Sequence, residues 1–493
     1  MLATVGLDPP TVKALSPLLY NISLRGSPRL VLSLRPQDAV PDWITHLIIL
    51  SKNHTVALQG EKGDVLNQLE IWKSVLYRKL NPNSTIQPSK PRLLPRNAHE
   101  ENQYSSFSIE DRRRYDEAEK LLVEDRFESK AELLLDLEIT SKSSGPELKR
   151  VKKYGEPIVE MEGVRVTYGD KTVLGGWDQI IDGERKEGLF WEICRGQRWG
   201  VFGLNGSGKT TLVSLITSDH PQAYSLPLRL FGRSRLPEAG KPGISIFDLQ
   251  SRIGHSSPEL HGFFPRNLSI RASIESAWAD TFLSRPKLDQ DRRLDVISAL
   301  KFFEADLNPD FSPEYSQLAS PATNEGYEPS APWADNTHFS SLDVAQQRLV
   351  LFLRAVVHKP DLVVLDEAFS GMPRLLRDKC LHFLEVGETL EESTGSRRIP
   401  GFDVWHLPAS NLTAHEARHQ GLTASQALIV ISHLKDEVPD IVSHWMRLPT
   451  MLENETRLGG STAINSSSTR SVRICTLKEN QTVSTDTWDE IWA

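Results

Sequence analysis

RWGVFGLNGSGKTTLVSLI (198–216) is the stretch that decides the fold. An apolar strand runs into Gly203-Leu-Asn205-Gly206-Ser207-Gly208-Lys209-Thr210, which has the spacing GxxxxGK[ST], and a helix pattern follows from Lys209 and Thr211. Strand, glycine-rich turn and helix, in that order, make a phosphate cradle. The glycines let consecutive backbone N–H groups turn inward around phosphate oxygens, and Lys209 brings a point charge to the outer phosphates. Thr210 offers a hydroxyl to Mg²⁺, and the helix presents its positive N-terminal end to the same anion. The alternative is a tight turn without a ligand, which the flanking strand and helix argue against.

A second stretch completes the site. DLVVLDEAFSG (361–371) is a continuous apolar strand, as expected for a parallel sheet buried on both faces, and it ends in Asp366-Glu367. Asp366 at a strand tip suits a Mg²⁺ ligand acting through water. Glu367 suits a general base that polarises the attacking water, a role worth roughly 10²–10⁴-fold in rate. Two surface acids closing a strand would be the plainer reading.

The rest of the composition sets bounds. With 493 residues the chain is too long for one core, so two or three domains are expected. A net charge of -8 argues against a partner bound by phosphate neutralisation, so nucleic acid is not an expected partner. Cys194, Cys380 and Cys475 have no paired spacing, which suggests reduced thiols in an intracellular compartment, cytoplasmic or mitochondrial. No apolar run approaches the roughly 18 residues of a membrane span. WITHLIIL (43–50) and LVLFL (349–353) read as buried strand or helix segments.

Composition separates four regions: 1–80, a polar and charged helical linker over 81–150, a strand–helix alternation over 151–450 that predicts an α/β domain, and a Ser/Thr-rich, weakly ordered tail over 451–493. Ser108 and Asp111 look like a capping box opening the linker helix. LVLSLRPQDAVPDWITHLIIL (30–50) aligns without a gap on LIVISHLKDEVPDIVSHWMRL (428–448). Asp38, Val40, Pro41, Asp42, His46 and Leu50 fall on Asp436, Val438, Pro439, Asp440, His444 and Leu448. Upstream, VGLDPPTVKALSPLL (5–19) matches SGMPRLLRDKCLHFL (370–384) more loosely. Chance similarity of two strand–turn–strand units is the lesser explanation, so the chain reads as one whole domain plus the C-terminal part of another copy.

These motifs resemble the ATP-binding-cassette (ABC) ATPases, over 151–450 and less strongly over 1–80. The resemblance implies an α/β P-loop NTPase cassette with a mainly parallel central sheet, plus the C-terminal remnant of a second cassette. It implies ATP and Mg²⁺ as cofactors and Mg-dependent ATP hydrolysis. Tyr168 in VRVTYGDKTVL takes the position of the ring that stacks on adenine, with a buried core aromatic as the alternative. His433, after ALIVIS, takes the position of the switch histidine that contacts the terminal phosphate. In this family two cassettes sandwich two nucleotides, and Asp8 in VGLDP takes the position of the first copy's D-loop aspartate. Partners implied are a second cassette or homodimer and a membrane protein.

The departures sort by site. The signature pentapeptide LSGGQ is replaced by SLDVA (341–345), with Asp343 and Val344 where glycines are expected. Ser257 and Pro258 stand where the Q-loop glutamine belongs, Pro373 replaces the D-loop aspartate, and Arg35 replaces the switch histidine of the first copy. One site, built from Lys209, Asp366, Glu367, His433 and Asp8, looks competent; the opposite one looks degenerate. The first copy's own P-loop and signature are expected upstream of residue 1, so the chain reads as truncated. The run around IGHSSPELHGFFP and the insert near 387–425 resemble the soluble tandem-cassette proteins of the bacterial molybdenum-transport type (ModF-like) and their fungal relatives. Two other readings stay open. One is a translation-type tandem factor, disfavoured by eleven acidic against six basic residues over 108–138. The other is a nucleotide-binding module with little turnover.

Overall fold

The computed structural model describes residues 2–3, 8–25, 30–34, 40–50, 55–80, 113, 120, 154–279, 281, 284–311, 331–388, 417–449, 472–477 and 482–492. Ser108, Asp111 and Arg35 lie outside them.

The centre of the larger region is a six-stranded sheet. Its order is Ile253–Ser256, Leu362–Asp366, Ala427–Ile431, Arg198–Gly203, His444–Leu448 and Arg473–Thr476. The first five strands are parallel; the last runs antiparallel to His444–Leu448. The apolar runs are continuous because both faces are covered. Along 362–365, Leu362 and Val364 point into a core shared with the helix Lys209–Ile216 and a four-stranded antiparallel sheet, while Val363 and Leu365 point into a second core. The same alternation divides Ala427, Ile429 and Ile431 from Leu428 and Val430. The second core is filled by helices Val344–Val357, which carries LVLFL, and Arg374–Glu385.

The antiparallel sheet has the order Leu189–Cys194, Pro157–Val164, Leu228–Leu230, Arg233–Ser234. Beside it lies a separate two-stranded ribbon, Val166–Tyr168 with Lys171–Leu174, turned at Gly169 with φ 57°.

The two aligned repeats fold alike. His46–Leu50 and His444–Leu448 are strands over the same aligned positions. Leu2–Ala3 pairs in parallel with Leu32–Ser33, as Leu365–Asp366 pairs with Val430–Ile431. Asp8 caps the helix Pro9–Leu24, and Pro373 occupies the N-cap of Arg374–Glu385. The strand HLIIL, expected to be buried, is not: Ile48 and Leu50 are 67% and 64% exposed. Among the described residues it pairs with Val56–Glu61 alone, and none covers its exposed face.

The Ser/Thr-rich C-terminal stretch also departs from expectation. Within the stretch expected to be a weakly ordered tail, the described residues supply the sixth strand, Arg473–Thr476, and a helix, Thr485–Trp492. Helical spacing puts Trp488, Ile491 and Trp492 on one face, and they pack with Phe202, Val438, Val442 and Trp445. Phe202 and Trp488 meet edge to face at 5.4 Å. Arg473 Nη2 donates to Ile491 O at 2.6 Å, closing strand on helix. Truncation of Trp488 to Ala is expected to cost ~2–3 kcal/mol, below the roughly 3–5 kcal/mol of fully buried aromatic deletions because the ring is only partly buried. Urea unfolding of the two proteins checks it; an unchanged midpoint would mean the C-terminal helix adds nothing to the core.

Candidate active site

The cradle forms where the strand Arg198–Gly203 gives way to the helix Lys209–Ile216. Two glycines are forced. A Cβ on Gly203 would lie 2.5 Å from Ser207 Oγ; Gly208 has φ 95° and a Cβ there would lie 2.8 Å from Val173 O. Gly208 is the N-cap, and no side chain caps this helix, so its first N–H groups face the cavity. Lys209, almost fully buried, folds back over the loop: Nζ donates to Gly203 O at 2.8 Å and to Leu204 O at 3.0 Å. Burial lowers the pKa of its ammonium, against the pull of Asp366, Glu367 and Asp8.

A cavity of about 240 Å³ opens from this loop. Asn205, Gly206, Gly208, Lys209, Thr210 and Thr211 line one side; Asp366, Glu367 and His433 line another, with Val173, Pro258 and Glu259 completing the wall. Asp366 ends its strand paired with Ile431, and His433 follows two residues later, so the sheet register brings them together. His433 Nε2 stands 3.5 Å from Glu367 Oε1. Glu367 itself has φ 46°, an uncommon conformation for a residue with a side chain. Its N–H donates to Ile431 O at 2.9 Å, and Arg348 from the helix Val344–Val357 donates to the carbonyls of Glu367, at 3.2 Å, and Ser370. The switch segment is braced by Ser432 Oγ, which donates to the buried Glu437 carboxylate at 2.6 Å.

Asp8 reaches this site from the other repeat. Its Oδ1 accepts from Thr11 N at 2.9 Å, and its Oδ2 accepts from Asn205 N at 2.8 Å. Burial pushes the carboxyl up, but these donors outweigh it and hold the group below its usual range.

Tyr168 closes the outer ribbon and is 55% exposed, which removes the reading of it as a core aromatic. Ser207 is buried within the loop rather than at the cavity wall. At the SLDVA position, Asp343 is the N-cap of Val344–Val357 and forms a capping box with Gln346. Ser257 likewise caps the helix Pro258–Phe263. The residue that sequence reasoning passed over is Glu259. Its signal was its place, one position past the Ser257-Pro258 pair where a glutamine was sought.

Asp366 is where the electrostatics concentrate. Burial raises its pKa, Glu367 and Glu259 raise it further, Lys209 opposes them, and the group ends at about 7. A buried carboxylate crowded by two others suits a hard cation. Asp366 and the Thr210 hydroxyl are the oxygen donors that would hold Mg²⁺. Among the described residues no group of three or more His, Cys, Asp or Glu side chains could hold a metal alone, so phosphate oxygens would complete the shell.

Phosphate cradle, strand-tip acids and a following histidine on one parallel sheet define a P-loop nucleotide-binding cassette. No family model matches the chain. Among curated proteins it is 30% identical over 438 residues to an uncharacterized ABC transporter ATP-binding protein of Schizosaccharomyces pombe, covering 89% of this chain and 61% of that protein. It is 27% identical over 397 residues to an uncharacterized ABC transporter ATP-binding protein of Saccharomyces cerevisiae, covering 77% and 58%. It is 30% identical over 249 residues to the ABC transporter ATP-binding protein ModF of Escherichia coli, covering 50% and 42%. The chain is thus similar along most of its length to proteins named as ABC transporter ATP-binding proteins, and it spans about 60% of the length of its two fungal relatives.

The raised Asp366 pKa fixes a pH dependence for the ligand-free protein. Below pH ~4 the group is protonated folded and unfolded, and the native state keeps its full advantage. As pH climbs, the unfolded chain ionises freely while the folded site resists until about 7, so native stability falls across that window. Asp366→Asn removes the penalty. Its ligand-free Tm is expected to exceed wild type at pH 8 and to match it near pH 4; equal differences at both pH values would refute the assignment.

Proposed function

We propose that this chain binds ATP with Mg²⁺ in the cavity at the sheet edge and hydrolyses it. The observation that carries this reading is the convergence of Lys209, Asp366, Glu367 and His433 on one wall system, with His433 Nε2 3.5 Å from Glu367 Oε1. Backbone N–H groups of Gly206 and of Gly208 to Thr211, with the Lys209 ammonium, would hold the phosphates, while the Asn205 N–H stays on Asp8. Bound Mg²⁺ would neutralise charge on the outer phosphate oxygens. Glu367, held by Arg348 through its carbonyl, would take the proton of the attacking water, and His433 would orient the terminal phosphate beside it. Tyr168 does not itself line the cavity; Val173 of the same ribbon does, and the exposed Tyr168 ring would stack on adenine from there. Asp8 ties the cradle to the N-terminal repeat, so the 1–80 region is read as part of a second cassette and 81–150 as the linker between them.

The relatives are named as ABC transporter ATP-binding proteins. No helix among the described residues is long and apolar enough to cross a membrane. In a transport role this cassette would energise a membrane partner, with a second cassette or a homodimer completing the nucleotide sandwich.

Two substitutions test the reading. Lys209→Ala is expected to abolish ATP binding, read by titration calorimetry. Glu367→Gln is expected to keep binding and lower phosphate release at least ~100-fold, the loss typical of a general base. If Glu367→Gln binds ATP and releases phosphate at a measurable wild-type rate, hydrolysis does not run through this base. If wild type itself binds ATP and releases no phosphate, the chain is a nucleotide-binding module.

A further inference from the structure

The ribbon that carries Tyr168 is rooted in the core through Val166 and Leu174, but its tip, where Tyr168 sits, belongs to no larger sheet. A ring presented from such a ribbon needs an external brace if it is to meet a ligand at low entropic cost. The brace is the short 3₁₀ turn Pro221–Tyr224 together with the residue before it, His220.

His220 is 6% exposed and is the N-cap of that turn. Its Nδ1 accepts from Gln222 N at 3.1 Å. A backbone N–H can only donate, so Nδ1 carries no proton and the ring hydrogen sits on Nε2. Nε2 lies 2.6 Å from Tyr168 Oη. The imidazole therefore donates to the phenol oxygen, and the direction of the bond is set by the turn, not by chance. The rings meet edge on, with centroids 5.8 Å apart and planes at 70°. One residue back, Gln222 Nε2 donates to Thr167 O at 2.7 Å. Two successive residues of the ribbon are thus pinned by the same turn.

That turn is anchored in its own right. The N–H groups of Asp219 and His220 both donate to Ser214 O, at 2.9 and 3.0 Å, in the last turn of the helix Lys209–Ile216. The phosphate cradle begins this helix and His220 sits just past its end. One short rigid element therefore sets the distance between the cradle and the Tyr168 ring.

We propose that His220 is a positioning residue for the nucleobase: by donating Nε2–H to the Tyr168 phenol it fixes the ring on which the base of the nucleotide stacks. The proposal rests on the reading of Tyr168 as the base platform. Stacking of a base on an aromatic ring is worth enough that losing it weakens binding about tenfold or more. A ring left unbraced should lose most of that.

The test compares ATP with inorganic tripolyphosphate, which has the phosphates and no base, on the full chain with Mg²⁺. The variants are His220→Ala, Tyr168→Ala, the double variant and His220→Gln, whose side-chain amide can still donate toward the phenol. His220→Ala is expected to weaken ATP about five- to tenfold, to leave tripolyphosphate binding unchanged, and to be largely rescued by His220→Gln. The double variant should bind ATP no worse than Tyr168→Ala alone, because both changes remove one interaction. If Tyr168→Ala weakens ATP while His220→Ala does not, or if the two effects add in full, the positioning role is wrong and the base platform stands. If His220→Ala weakens both ligands equally, His220 only supports the helix end, and the proposal falls. If Tyr168→Ala leaves ATP affinity untouched, the base platform itself fails and His220 loses its role with it.

Discussion

Neighbouring parallel strands share a fixed hydrogen-bond register, and that constraint sets where chemistry can occur in this molecule. Arg198–Gly203 pairs with Ala427–Ile431, which pairs with Leu362–Asp366, each locked residue to residue. All three end at one edge. The loops that leave this edge carry the cradle, the Asp366-Glu367 pair and His433. Because the sheet is sandwiched between two apolar cores, a strand cannot slip without exposing its whole buried set. The site inherits its precision from hydrophobic burial several ångströms below it.

The same edge collects charge. Asp366, Glu367 and Glu259 crowd one wall and Lys209 faces them, so the ligand-free cavity holds more negative than positive groups. Such an arrangement suits a polyanion arriving with a cation: the carboxylates are in excess over Lys209, and a cation would offset them. The second repeat adds a fixed point from outside. The two oxygens of Asp8 are divided between a helix cap and the cradle backbone, so one carboxylate orients both elements.

Much of this could be read in the residues. LVVLD and ALIVI are apolar without alternation, which only a doubly covered parallel strand explains, and the glycine spacing of 203–208 leaves few other uses. The aligned repeats predicted strands that fold over matching positions. What escaped was contact between distant segments. His220 and Gln222 look like ordinary loop residues until the ribbon folds beside them. Glu259 is one of many acids until the sheet edge places it against Asp366. The C-terminal strand and helix were hidden by Ser/Thr-rich composition, which reports poor core-forming content averaged over a window. Trp488, Ile491 and Trp492 form an apolar face only at helical spacing. The repeat held the missing clue, since Val56–Glu61 and Lys62–Leu80 follow the first copy as Arg473–Thr476 and Thr485–Trp492 follow the second.

The inward fold of Lys209 has a consequence for selectivity. Its ammonium is already bonded to two carbonyl oxygens of its own loop, Gly203 O and Leu204 O. An incoming anion does not meet an unclaimed charge; it must outbid two dipoles held at close range in a poorly solvated niche. An anion with several oxygens, which could occupy the helix N-terminus at the same time, would be best placed to win that exchange. The bonds that hold Lys209 thus favour a ligand that engages the loop at more than one point.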